Sequence, residues 1–166
     1  WVWEHQALTR ARFVAGDAQI GGHFERIRTE VLSRPRDLAA LGSEILSMRD
    51  KMRDAHPNAS GLFDLKHDRG GIVDVEFVVQ FLVLGHGHRH AGLTRNAGNL
   101  ALLKLAAALG LLPGDLAGGA HAAYREFRRL QHALRLQGER YARVEPAVVA
   151  QHAAAVLQLW ERVFGQ

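Results

Sequence analysis

Apolar residues recur every three or four positions along almost the whole chain, and no stretch alternates apolar and polar residues for long. The first spacing is typical of helices with one buried face, whereas alternation would indicate a half-buried strand. The sequence therefore predicts an all-α fold. Its first third predicts a helix over 2–15 ended by Gly16, a second helix capped by Asp17, and a third that opens after Pro35. The apolar stripes of the second and third helices are Ile20, Phe24, Ile27 and Val31, and Leu38, Leu41, Ile45, Met48 and Met52.

The middle of the chain contains its most apolar segment, residues 72–84, in which ten of thirteen residues are apolar. Because apolar side chains point in every direction around a helix of this composition, the segment predicts a helix buried in the middle of a bundle. Short apolar runs are ambiguous, so an isolated buried strand remains an alternative. A turn cluster over 56–61, a short extended stretch over 62–66 and the pair Gly70-Gly71 precede this segment.

The second half of the chain predicts three more helices. One begins at Thr94 or Asn96 and stops at Gly110, a long one capped by Asp115 reaches about Gln137, and the last has Pro146 in its first turn. No internal repeat or long linker divides the sequence. We therefore expect residues 1–166 to form one helical bundle of about six or seven helices with short connections.

Composition narrows the possible classes of protein. Of the 166 residues, 48% are hydrophobic and 23% are charged, which excludes a disordered chain, and none is cysteine. The absence of cysteine excludes a disulfide scaffold, a thiolate zinc site and a cysteine nucleophile. No apolar run approaches the roughly 20 residues of a membrane span, and the first residues do not resemble a secretion signal. The sequence predicts a cytoplasmic protein without a membrane partner, and its start at Trp1 suggests a piece of a longer polypeptide.

The positive charge is local rather than general. The formal net charge is +4, and residues 121–143 account for all of it, with six arginines against Glu126 and Glu139. Binding to nucleic acid without sequence preference normally needs a broader basic surface, so we predict no nucleic-acid partner. Phe127, Leu130 and Leu134 alternate with these arginines, which indicates the exposed side of an amphipathic helix that could meet an acidic partner or a phosphate.

The candidate chemistry lies in one segment of thirteen residues, which combines charged side chains and glycines at the start of the buried helix. Its members are Asp64, Lys66, Arg69, Gly70, Gly71, Asp74 and Glu76. Charge beside a buried apolar helix is typical of a cleft. Two glycines at a helix N-terminus can let backbone amides approach a phosphate, with Lys66 and Arg69 supplying positive charge. The segment therefore predicts an anion-binding site.

The two carboxylates of the buried helix allow a structural interpretation as well. Asp74 and Glu76 differ by about 200° around a helix, so they are not a conventional acid–base pair, whereas Glu76 and Gln80 share a face. In the structural alternative, Asp74 caps or balances the helix start and Glu76 pairs with a basic residue of a neighbouring helix. Both interpretations remain open at this point.

Other motifs give no complete catalytic centre. His86 and His90 have the spacing of a helical metal site, but glycines interrupt the segment and no third ligand is suitably placed, so we predict no metal site. The sequence has no nucleophile elbow, phosphate-binding loop or zinc-protease motif. We therefore predict no catalytic residue in this chain.

Two stretches of the sequence resemble a known family. Phe63-Asp64-Leu65-Lys66, followed by Gly70-Gly71-Ile72-Val73-Asp74-Val75-Glu76-Phe77 and the apolar run to Leu84, is similar to a signature of the glutamine synthetase adenylyltransferases. The opening Trp3-Glu4-His5-Gln6-Ala7-Leu8-Thr9-Arg10 is similar to the segment after the second nucleotidyltransferase domain of these bifunctional enzymes. The resemblance covers essentially the whole chain.

The resemblance implies a fold, an activity and partners. Residues 1–166 would be the C-terminal helical domain of the adenylylating half, like the helical domain that follows the nucleotidyltransferase domain in PII uridylyltransferase-type enzymes. The longer enzyme would transfer AMP from ATP, with Mg²⁺, to a tyrosine of glutamine synthetase in nitrogen regulation. The paired aspartates that hold magnesium in such enzymes have no counterpart in these 166 residues, so we expect the chain alone to be inactive.

The same resemblance suggests roles for the candidate residues and leaves two alternatives. Lys66, Arg69 and the Gly70-Gly71 amides would contact ATP phosphates or the catalytic domain, with Asp74 and Glu76 orienting them or the tyrosine hydroxyl. Alternatively, the domain would be a regulatory module that binds the PII protein or glutamine. It could also be a scaffold without a ligand site.

Overall fold

The computed structural model describes residues 1–165, and seven α-helices dominate that part of the chain. The helices are α1 (Val2–Leu8), α2 (Ala18–Leu32), α3 (Leu38–Ala55), α4 (Ile72–His86), α5 (Asn99–Ala108), α6 (Gly114–Leu136) and α7 (Pro146–Phe164). A short 3₁₀ helix covers Ala91–Thr94. The all-α prediction is confirmed. None of the helices in the described residues is both long enough and apolar enough to cross a membrane.

Helix α4 lies at the centre of the molecule and contacts α1, α3, α5, α6 and α7. Twelve of its fifteen residues are buried, because α4 carries its own apolar side chains on all sides and each side packs on a neighbouring element. The prediction of a buried helix over this segment is confirmed, and the alternative of a strand is wrong. Burial outweighs the weak helix preference of its valines, which is a small effect per residue.

Helices α6 and α7 pack along each other, and α5 packs on α6. Ala120, Ala123 and Phe127 of α6 and Val156 and Leu159 of α7 belong to the core. The opposite side of α6 carries exposed Arg125, Arg128, Arg129 and Arg135, as its amphipathic pattern predicts.

Two short strands join distant parts of the chain. Strand β1 (Phe63–Asp64) pairs antiparallel with β2 (Arg143–Val144), with Phe63 opposite Val144 and Asp64 opposite Arg143. The sequence predicts the extended stretch around β1 but not its partner, which lies 79 residues further along the chain.

The predicted first helix is wrong in length, because α1 ends at Leu8 rather than at residue 15. The Arg28 side chain is fully buried and donates from Nε to the Leu8 carbonyl and from Nη1 to the Thr94 carbonyl. Carbonyls at the end of a helix lack partners within it, and this guanidinium supplies donors for them. Arg28 thereby joins α1, α2 and the 3₁₀ helix.

Two of the four residues of the apolar stripe predicted for α2 do not face the core, whereas Phe24 and Val31 are half-buried. Ile20 is 69% exposed and Ile27 is 54% exposed. The buried residues of α2 are Gly21, Arg28 and Leu32. Burial of the Arg28 guanidinium at its acceptors requires a rotation of α2 about its axis that leaves Ile20 and Ile27 on the surface.

Three further helix starts differ from the predictions by a few residues. Asp37 caps α3 by accepting the Ala40 amide at 2.7 Å, two residues after Pro35. Helix α5 begins at Asn99 with Gly98 at its cap position, and Thr94 belongs to the 3₁₀ helix instead. Pro113, not Asp115, stands at the cap position of α6.

Candidate functional site

The segment between β1 and α4 is a compact loop whose shape is set by two aspartates. Asp64 Oδ1 accepts hydrogen bonds from the amides of Lys66 and His67, each at 3.0 Å. Asp68 Oδ2 accepts from the Asp64 amide at 2.8 Å and from Asn58 Nδ2 at 2.9 Å. Such side-chain-to-backbone bonds satisfy the loop amides locally. Asp64 therefore builds the loop, and its Oδ1 is already occupied.

The loop folds back onto the start of α4 and uses the amides there. The Gly71 amide donates to the Asp68 carbonyl at 3.0 Å, and the Ile72 amide donates to the Leu65 carbonyl at 2.9 Å. The Gly70 amide donates to Asp74 Oδ2 at 2.6 Å. An N-terminus binds an anion through free amides. In this arrangement the two glycine amides have protein partners instead.

Close packing explains why glycines occupy these two positions. Gly70 has a φ of +83°, and a Cβ there would lie 2.8 Å from the Ala153 carbonyl oxygen of α7. A Cβ on Gly71 would lie 2.9 Å from the carbonyl oxygens of Leu65 and Asp68. The first position needs the left-handed backbone that glycine adopts freely, and both need the space.

Asp74 lies inside the bundle. It is 2% exposed and forms an ion pair with Arg49 of α3, whose Nη2 also donates to the His67 carbonyl at 2.8 Å. A buried carboxylate needs a paired charge and further hydrogen bonds, and Arg49 and the Gly70 amide provide them. The geometry of Asp74 agrees with the structural interpretation, in which it organises the start of α4.

Glu76 and Gln80 lie on another face of α4, as their spacing predicts. Tyr124 of α6 donates its hydroxyl to Glu76 Oε1 at 3.0 Å and accepts from Asn99 Nδ2 at 2.9 Å. Gln6 of α1 donates to Gln80 Oε1 at 2.8 Å. The expectation of a basic partner for Glu76 is wrong, because its hydrogen-bond partner among the described residues is this tyrosine. Burial, and then the Glu76 charge, raise the pKa of Tyr124, which keeps the hydroxyl proton in place for this bond.

Lys66 and Arg69 are the exposed members of the candidate set, and they line different depressions. Arg69 borders a very small one, of about 20 Å³, beside Arg49, Arg53 and Asp74. Lys66 and Asp64 line a larger cleft of about 260 Å³. The structure therefore separates the predicted site into three places: the Lys66 cleft, the buried Asp74 region and the Glu76–Gln80 face.

The cleft around Lys66 is rich in positive charge. Its wall includes His56, His67, Arg135, Tyr141 and Arg143 besides Asp64 and Lys66. Arg143 Nε lies 3.4 Å from Asp64 Oδ2, and its guanidinium stands 4.5 Å from the centre of the Tyr141 ring. The imidazoles of His56 and His67 stack with their centroids 4.1 Å apart. Burial, in the first place, lowers the pKa of His67, which favours its neutral form.

Sequence reasoning missed Arg135, Tyr141 and Arg143 as neighbours of Lys66. The pairing of β2 with β1 brings residues 141–143 to the loop, and two-residue strands leave almost no periodic signal. The local excess of arginine over 121–143 was the available hint. Within residues 1–165, no group of three or more His, Cys, Asp or Glu side chains is placed to hold a metal ion.

A comparison with protein-family models matches residues 44–159, from within α3 to within α7, to the family described as GlnD PII-uridylyltransferase. The match covers more than half of the chain. The chain belongs to this family. The matched region of this GlnD PII-uridylyltransferase family member includes the loop, α4 and every residue that lines the Lys66 cleft.

Comparison with individual proteins identifies a more closely related group within the family. The chain is 60% identical over 165 residues to a protein of Aromatoleum aromaticum, and 54% identical over 179 residues to one of Nitrosomonas eutropha. A protein of Burkholderia mallei is 57% identical over 165 residues. All three are named bifunctional glutamine synthetase adenylyltransferase/adenylyl-removing enzyme, which confirms the family resemblance seen in the sequence.

The relatives are much longer than this chain. The alignments cover 99% of the chain but only 18% to 19% of each of these three relatives. The chain thus spans about a fifth of the length of the curated relatives that it matches.

Proposed function

We propose that residues 1–166 act as the helical domain beside a nucleotidyltransferase domain, in an enzyme that transfers AMP from ATP to a tyrosine of glutamine synthetase. The observation that carries this proposal is the sequence identity of 54% to 60%, over 99% of the chain, to proteins named bifunctional glutamine synthetase adenylyltransferase/adenylyl-removing enzyme. The predicted Mg²⁺ and ATP site belongs to the other domain. On its own, the 166-residue chain should transfer no AMP.

The helical domain supports the reaction through its exposed charges in this proposal. The ammonium group of Lys66 has no hydrogen-bond or ion-pair partner among residues 1–165, and its backbone belongs to a loop that Asp64, Asp68 and Arg49 hold in place. Because the loop backbone is already fixed, only the Lys66 side chain loses freedom when its ammonium meets a nucleotide phosphate or an acidic group of the neighbouring domain. Arg69 is the second exposed cation of the set.

The test is a Lys66→Ala variant of a full-length enzyme that carries this domain. A charge-assisted hydrogen bond contributes about 1.5–3 kcal/mol, so we expect AMP incorporation into glutamine synthetase to fall about 10- to 150-fold. Lys104→Ala, on the exposed side of α5, is the matched control and should keep the full rate. Circular dichroism checks that both variants fold. Equal rates for the two variants would remove Lys66 from the site.

Two further variants test the other parts of the predicted set. Arg69→Ala removes the exposed cation beside Asp74, and Glu76→Gln removes the charge but keeps an acceptor for Tyr124. If these residues face the nucleotide or the tyrosine hydroxyl, each variant lowers the rate of AMP transfer while its thermal unfolding stays close to that of the unmodified enzyme. Full activity in either variant removes that residue from the site.

A regulatory role is the second candidate, because the description of the matched family names PII. The surface for PII would be the exposed arginine side of α6, and glutamine would be a second effector. Titration of the chain with PII, and separately with glutamine, tests this role. Saturable binding of either would support a regulatory module. Absence of binding would favour the first proposal, in which the domain contacts the nucleotidyltransferase domain.

A further inference from the structure

We propose that the cleft between the β1–α4 loop, β2 and the end of α6 is a phosphate-binding site. This assignment rests on the side chains of the cleft and not on the transfer of AMP proposed above. It adds Arg135 and Arg143 to Lys66 as the groups that bind the anion.

The charged side chains of the cleft give it a net positive charge, which favours binding of an anion. Lys66, Arg135 and Arg143 line it together with a single carboxylate, that of Asp64. Asp64 Oδ1 is occupied by two backbone amides, and Oδ2 meets Arg143 only at 3.4 Å. Three cations and one largely occupied carboxylate give a local excess of about two positive charges. A dianion such as phosphate would balance this excess.

The arginines retain donors for such an anion. Arg143 contacts Asp64 through Nε, and its two Nη nitrogens have no hydrogen-bond partner among residues 1–165. Arg135 uses Nη1 to bond the carbonyls of Glu139 and Arg140, which fixes its side chain and leaves Nη2 without a partner in the described chain. A guanidinium held in this way suits the oxygens of a phosphate better than a mobile lysine does.

The shape of the cleft suits a group larger than water. Its volume of about 260 Å³ is well above the roughly 30 Å³ that one water occupies in the liquid. Tyr141, half exposed beneath the Arg143 guanidinium, forms a flat aromatic wall. The phosphate could be free or part of a nucleotide, whose base could stack on the Arg143 guanidinium that the Tyr141 ring supports.

The test is a titration of the 166-residue chain with inorganic phosphate and, in parallel, with AMP, at constant ionic strength. Amide resonances of residues 64–67 and 141–143 in a ¹⁵N-labelled sample report binding. We expect saturable shifts of these resonances with phosphate. Tighter binding of AMP, weakened by Tyr141→Leu while phosphate binding is unchanged, would identify a nucleotide as the source, and equal affinities would indicate free phosphate.

Three variants in the cleft make the proposal falsifiable. Lys66→Gln, Arg135→Gln and Arg143→Gln should each weaken phosphate binding about tenfold or more. Arg125→Gln, exposed on α6 outside the cleft, is the matched control and should bind normally. Lys66 and Arg135 are exposed, so their variants should fold even if loss of the Arg143–Asp64 contact unsettles the third. No saturable shift, or equal weakening in the control, would overturn the site without deciding whether the longer enzyme transfers AMP.

Discussion

Arg49 and Asp74 form an ion pair that is almost completely shielded from water, with side-chain exposures of 6% and 3%. Removing both charges from water is unfavourable, and their attraction offsets that cost only when other groups complete the hydrogen bonds. Asp74 also accepts from Gly70, and Arg49 also donates to the His67 carbonyl. The pair therefore fixes the loop that carries Lys66 as well as the start of α4.

Replacing Arg49 by alanine should destabilise the protein strongly, because Asp74 would keep a buried and unpaired charge. We expect the free energy of unfolding to fall by about 3–5 kcal/mol, measured by urea denaturation. Arg53→Ala is the control on the same helix, since Arg53 is half exposed and pairs with Asp50 at the surface. It should change stability by less than about 1 kcal/mol. A similar small change for Arg49→Ala would show that the pair does not hold the loop.

The packing of α7 against the start of α4 depends on the absence of a side chain at Gly70. The Ala153 carbonyl of α7 and the Leu157 side chain both lie where a Cβ would project. Interiors are packed densely, so neither helix can move aside without opening contacts elsewhere. The glycine therefore sets the distance between the two helices.

A pair of glycine substitutions separates this packing from backbone strain. Gly61 and Gly70 have φ angles of +75° and +83°, but only Gly70 has atoms within 4 Å of a new Cβ. Gly61→Ala should cost about 1–2 kcal/mol, from the left-handed backbone alone. Gly70→Ala should cost about 1–3 kcal/mol more, from overpacking. Thermal or urea unfolding measures the stability of both variants. Equal decreases in the free energy of unfolding would show that α7 moves aside without an energetic penalty.

The molecule as a whole should lose stability in mild acid. Burial, as the largest cause, lowers the pKa of His5, His67, His86 and His121 below the ordinary value of 6.5. The unfolded chain then binds protons more readily than the folded one. The contribution of these four imidazoles to the free energy of unfolding is fully present above about pH 6.5. It decreases as the pH falls through that value toward the lower pKa values of the folded state.

Urea denaturation between about pH 7.5 and 5.5 measures this effect in a window above the ordinary pKa range of carboxylates. The free energy of unfolding should decrease toward the acid end. A His67→Gln variant should show a shallower decrease, because one of the contributing imidazoles is absent. A stability that rises toward pH 5.5 would contradict the prediction.

The sequence alone determined the helical class, the burial of α4 and the family, because these depend on local composition and on a contiguous motif. Residues 72–84 are apolar in every direction, so only a central position removes them from water. The motif from Phe63 to Glu76 is contiguous, so it can be recognised without a structure.

Only the tertiary structure decided which residues meet. The Arg28 guanidinium turned α2 so that Ile20 and Ile27 face outward, since a buried charge must reach its acceptors while an exposed isoleucine is tolerated. The pairing of Asp64 with Arg143, 79 residues further along the chain, forms the Lys66 cleft. Asp74 does not line this cleft, because its ion pair with Arg49 holds it inside the bundle. Local pattern fixes which face of a segment is apolar. Contacts between distant segments depend on how buried charges and backbone groups find partners, and that is a property of the whole fold.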